Sequence, residues 1–164
     1  MDEPSAEWER RVDEVWAAGD GLDEQELLTA IEELAAELGD ESPVAAFERA
    51  SSLDSTGHSD FAVPLYRRAI DLGLGGPRRR RAVIQMASSL RNLGEAQESV
   101  ALLRAELDRP SDELDDAVRA FLALALADTG REREATALAL EALAPHLPRY
   151  QRSLGNYARE LSTG

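Results

Sequence analysis

A chain of 164 residues with 43% apolar content supports one domain with a true core, and its low aromatic share (5%) suits closely packed helices better than a β-sandwich. The absence of cysteine excludes disulfides, thiolate metal sites and cysteine nucleophiles. A net charge of −14, with fifteen acids against two arginines in residues 1–42, sets an acidic arm before a nearly neutral body and disfavours general affinity for nucleic acid.

The first ten residues, MDEPSAEWER, lack the basic-then-apolar order of a signal peptide. No stretch reaches the ~20 apolar residues that span a bilayer, so the expectation is a cytoplasmic protein without membrane partners. Trp8, Val12, Val15 and Trp16 share one helical face, as do Leu27, Ile31, Leu34 and Leu38. The second of these helices begins on acidic residues, which its dipole favours. This pair is expected to cap the segment that follows. Ser42-Pro43 then reads as an N-cap with proline at the first helical position.

From there one unit recurs. Ala50, Ala87 and Ala123 are each followed by Leu53, Leu90 or Leu126 and then by Gly57, Gly94 or Gly130. Beyond the glycines come Ala62, Ser99 and Ala135, then Tyr66, Leu103 and Ala139, then Ala69, Glu106 and Ala142. Only Ala139 and Glu106 break the alternation of small and large apolar residues. The spacing predicts a helix, a turn in which glycine ends it, and a second antiparallel helix. Pro64 lies early in its helix and should bend it rather than break it. One such hairpin leaves its apolar face open, so neighbours must stack into a solenoid. The tail, with Tyr150, Leu154, Tyr157 and Leu161, reads as a closing helix.

The pattern Ala50-x2-Leu53…Ala62-x3-Tyr66…Ala69 resembles the tetratricopeptide repeat (TPR) family, whose unit of about 34 residues carries W-x2-L-G-x2-Y…A-x3-F…P. Here the Trp is absent, the Tyr is Leu in every copy, and the closing proline is displaced to Pro77, Pro110 and Pro148. The chain is also similar to short bacterial TPR proteins of unassigned function. The resemblance implies an all-α, right-handed superhelix of about nine helices. Its parts would be an acidic helix pair over 1–42, repeats over 43–76, 80–113 and 116–149, and a capping helix over 150–164.

In such folds the first helices of successive repeats line a concave groove that takes peptides or helices. The groove positions are Phe47, Ser51 and Asp54 in the first repeat, with Val44 beside them. The second repeat offers Arg81, Ile84, Gln85, Ser88, Arg91 and Asn92. The third offers Phe121 and Leu124, flanked by Ala117, Ala120 and Asp128. Phe47, Ile84, Phe121 and Leu124 are expected to supply affinity, and Arg81, Gln85, Arg91 and Asn92 to set register. The alternative is internal: Asp54 and Arg91, at equivalent places on adjacent helices, pair with each other. TPR domains that clamp chaperone tails place Lys and Asn where this chain has Phe47 and Ser51, which disfavours that role.

The run GGPRRRR, residues 75–81, starts a helix with four arginines. It reads first as a solvated turn, with an anion or an acidic segment, such as another copy's N-terminal arm, as the alternatives for what it meets. Arg79 and Arg80 are expected to point to solvent. Ser55, His58 and Asp60 are the residue types of a hydrolase triad, but they flank a repeated turn and the other copies lack the histidine. No metal spacing, phosphate loop or dinucleotide fingerprint occurs. The reading is a non-catalytic module, without cofactor or metal, that binds a protein or peptide. The alternative is a self-associating scaffold, a homo-oligomer, built on the N-terminal helices.

Overall fold

The computed structural model describes residues 4–163. Residues 1–3 and 164, counted above in the acidic arm and the closing helix, lie outside the described residues. Among the described residues the regular structure is entirely helical. In order it runs α1 (Ala6–Ala18), α2 (Glu24–Leu38), α3 (Pro43–Ser55), α4 (Ser59–Asp71), α5 (Gly76–Asn92), α6 (Ala96–Leu107), α7 (Asp115–Asp128), α8 (Glu132–Leu143) and α9 (Gln151–Thr163). Short 3-10 turns cover Gly19–Gly21 and Ala144–His146. The helices group into two compact units, Met1–Ser89 and Leu90–Gly164, which divide within α5.

In the N-terminal unit the starts of α2 and α3 are chemically specified. The Asp23 carboxylate accepts from the Glu26 backbone N–H at 2.9 Å while the Glu26 carboxylate accepts from the Asp23 N–H at 2.9 Å, a complete capping box. Ser42 Oγ accepts from the Ala45 N–H at 3.2 Å, with Pro43 at the first helical position. Trp8, Val12 and Leu34 form a buried cluster, backed by the half-buried Val15, Trp16, Leu38 and Val44. The Trp8 indole N–H donates to the Leu34 carbonyl at 2.8 Å, so burial of the ring leaves no unmet donor. Helices α3 and α4 approach through Ala46, Ala50, Ala62 and Ala69, all buried, while the Phe47 and Tyr66 rings fill the space beside them with centroids 6.2 Å apart. Pro64 sits on the exposed side of α4, which runs through it unbroken.

The three recurrent glycines all end helices, at φ 87 (Gly57), 86 (Gly94) and 77 (Gly130). In each turn the N–H after the glycine returns to the recurrent leucine. His58 donates to the Leu53 carbonyl at 2.8 Å, Glu95 to Leu90 at 2.8 Å and Arg131 to Leu126 at 3.0 Å. The glycine N–H groups donate to the carbonyls of Asp54, Arg91 and Ala127. This double bond is the Schellman motif, which answers two orphan carbonyls and reverses the chain in one step. The spacing from leucine to glycine is thus a stop signal with a geometric cause.

In the C-terminal unit, Val100, Leu103, Val118, Leu122, Leu126, Ala135 and Ala142 are buried. The two breaks in the repeat have separate outcomes. Glu106, at a small-residue position, is buried with Arg109 at 3.9 Å, and Ala139, at a large-residue position, is exposed. The closing helix departs from expectation. Its inner stripe is Leu154, Ala158 and Leu161, with Ala158 fully buried, whereas Tyr150 and Tyr157 are 76% and 62% exposed. Tyr157 lies one residue, about 100° of helical rotation, off that stripe. Tyr150 stands ahead of the helix at φ 70.

Candidate protein-binding surface

On the N-terminal unit, most nominated residues are engaged within the fold. Phe47 is 0% exposed, with the Arg81 guanidinium 5.3 Å from its ring centroid, and Ile84 is 7% exposed. Both side chains therefore serve the core, and the contact area expected from them is not on the surface. The physical reason is neighbour packing. Tyr66 from α4 and Arg81 from α5 close over the ring that the α3 periodicity places at the edge of its apolar stripe. Ser51 is buried and donates to Gln85 Oε1 at 3.5 Å.

Asp54 is the hub of this polar layer. It accepts from Ser59 Oγ at 3.5 Å, from the Tyr66 hydroxyl at 3.4 Å and from Ser89 Oγ. Three hydroxyl groups occupy the carboxylate that the internal alternative assigned to the Arg91 guanidinium. Burial, with the nearby Asp54 charge, holds the Tyr66 phenol above its ordinary pKa, against the opposing effect of the Ser51 hydroxyl. Arg81 is exposed and Gln85 and Ser88 are half-buried, so the accessible part of this face is polar.

The arginine run is more deeply used than expected. Arg80 is 4% exposed and Arg79 is half-buried, although Gly76 and Pro77 ahead of them in α5 are exposed. Arg78 donates from Nε to Glu48 Oε1 at 2.9 Å and from its terminal nitrogens to both Glu9 oxygens, at 2.8 and 2.6 Å. Its guanidinium lies 5.9 Å from the Trp8 ring centroid. The other oxygen of the buried Glu48 accepts from the Trp16 indole N–H at 2.9 Å. The acidic segment that meets Arg78 is thus this chain's own α1. A cleft of about 750 Å³ opens beside them, lined among others by Asp13, Val44, Leu74 and Arg81.

The C-terminal unit presents a different surface. Arg91 pairs with Asp128 at the far end of α7. One turn before Asp128, Leu124 is 47% exposed, beside a half-buried Phe121, and Asn92 is exposed at the end of α5. An open leucine, an aromatic edge and a guanidinium with its carboxylate therefore lie on one face. Asp128 was placed on this face by the sequence, but its pairing with Arg91 depends on tertiary structure and was not legible there.

No nucleophile and base come together at the triad-like stretch. The Ser55 hydroxyl donates to the Ser52 carbonyl at 2.9 Å, and His58 Nε2 instead meets Glu24 at 2.7 Å. His146 Nε2 meets Asp116 at 2.9 Å. Among the described residues no cluster of three or more His, Cys, Asp or Glu side chains could hold a metal ion, and no helix is long and apolar enough to cross a membrane.

The family model described as tetratrico peptide repeat matches residues 43–161. The chain belongs to the tetratricopeptide repeat family. Its fold is also that of a crystal structure from Podosopora anserina, of nearly identical TPR-like repeats from a protein described as a kinesin light chain. The TM-score is 0.68 at 19% identity, over 98% of this chain and 93% of that one. No curated protein matches the sequence. The TPR fold is generally a protein–protein interaction module, typically without catalysis, and points to protein partners.

Proposed function

We propose that this chain is a non-catalytic interaction module that binds a peptide or protein segment on the groove-facing sides of its first helices. The observation that carries the reading is Leu124: a large apolar side chain, about half exposed, on the helix face that the repeat pattern assigns to partners. Phe121 beside it and the Arg91–Asp128 pair add an apolar edge and a charged clamp for a partner's backbone or carboxylate. On the N-terminal unit, Arg81, Gln85 and Ser88 supply polar contacts, while Phe47, Ser51, Asp54 and Ile84 shape that face from beneath.

Displayed random peptides selected against the full chain test this. Selected binders should lose about tenfold or more in affinity with Leu124→Asp or Arg91→Ala. They should keep their affinity with Leu143→Asp, a change at an equally exposed leucine on α8. Binders indifferent to Leu124→Asp, in a chain that melts as wild type, would move the site elsewhere.

A further inference from the structure

Two glycines of the N-terminal unit stand where the folded chain makes no use of them. Gly19 has φ −51 and ψ −42, ordinary helical values, and a Cβ at Gly19 or Gly21 would meet nothing within 4 Å. Neither occupies the left-handed region that Gly57 and Gly73 require. Glycine in such a place only leaves the unfolded chain freer. The two bracket the 3-10 turn that joins α1 to α2.

Ahead of that turn, α1 meets a receptor built from other helices. Glu9 takes both terminal nitrogens of Arg78 on α5, and the Trp16 indole donates to the buried Glu48 on α3. Trp8 and Val12 are buried, with Trp8 donating to the Leu34 carbonyl on α2. An undocked α1 would expose both side chains and strand Glu48 beside a cation without its indole. The receptor therefore demands an α1, and nothing in its chemistry demands the α1 of the same chain.

We propose that α1 is an exchangeable helix. Two copies of this chain trade it about the Gly19–Gly21 hinge, so that Glu9 and both indoles of one copy complete the Arg78–Glu48 site of the other. The exchanged dimer keeps every contact that α1 makes in the monomer, and only the hinge changes conformation. Exchange passes through local opening, so it rises with protein concentration and with time held warm. It does not depend on the Leu124 face, so either assignment can fail while the other stands.

The test uses full chains with reversed charges. Glu9→Arg opposes two guanidinium groups within one chain. In a second chain, Arg78→Glu opposes two carboxylates, with Glu48→Gln added to relieve the buried neighbour. Each variant clashes with its own α1. In an exchanged pair, the two reversed charges meet each other, and the remaining Glu9 meets the remaining Arg78. Native mass spectrometry of the mixture should show the heterodimer at about tenfold or more over either homodimer. The chain carrying all three changes should return to the wild-type ratio of monomer to dimer. A mixture that stays monomeric, with wild-type helix content, overturns the exchange. If a variant fails to fold alone, light and heavy isotopic wild-type chains are held together at high concentration just below their melting temperature. Mixed-isotope dimers then support the proposal, and their absence overturns it.

Discussion

At Gly57 the backbone sits at φ 87, and a side chain there costs about 1–2 kcal/mol even with open space around it. Gly57→Ala is expected to lower unfolding stability by about that amount, whereas Gly19→Ala should raise it by up to about 1 kcal/mol. Urea titrations followed by far-UV ellipticity measure both, and equal shifts would remove the distinction between turn and hinge. Tyr66 gives a test in pH. Its phenol keeps its proton more tightly in the folded state than in the unfolded chain, where the pKa is about 10. The stabilisation is therefore complete below about pH 10 and is lost as pH rises beyond it. Tyr66→Phe should flatten the alkaline decline in stability, and an unchanged slope would place its cause elsewhere. These residues also mark what a sequence can carry. The glycine turns were legible because a left-handed helix end is a local demand, repeated three times. The burial of Phe47 and the three hydroxyl partners of Asp54 were not, because periodicity identifies a stripe on one helix but not which neighbours close over its edge.

Among the elements, α1 is held by a charge cluster in which one member, Glu48, is buried. Removing one partner of such a cluster leaves an uncompensated charge, so Arg78→Ala should cost about 3 kcal/mol. Glu9→Gln, on the more exposed side, should cost less. A double-mutant cycle between the two isolates their coupling, and a coupling near zero would make Arg78 a packing residue only. Helix starts were legible at the acidic residues that open α2 and at Ser42-Pro43, because dipole and cap preferences are short-range chemistry. The phase of α9 was not. Its two tyrosines drew the apolar stripe toward themselves, and the small Ala158, which lets α9 sit close, carries little weight in a hydrophobic pattern. The contact between Glu9 and Arg78 joins residues far apart in sequence, and only the charge imbalance hinted at it.

On the scale of the whole molecule, the acidic excess is concentrated where it must repel itself. Residues 1–42 carry fifteen acids and two arginines, and the ion pairs Arg11–Glu37 and Arg49–Glu32 offset only part of this. Raising salt from 0.01 to 0.15 M shortens the screening length from about 30 to about 8 Å. The melting temperature is expected to rise over that range, as measured by calorimetry. A fall would mean that the arginine pairs outweigh the repulsion.

Both tryptophans of the chain, Trp8 and Trp16, belong to α1. Indole emission is therefore a native spectroscopic label on a single helix, while ellipticity sums over all the helices. Emission recorded during denaturation follows the release of α1, and ellipticity follows the loss of the repeats. The separation between the two curves times the departure of α1 against the rest of the fold, with no probe introduced.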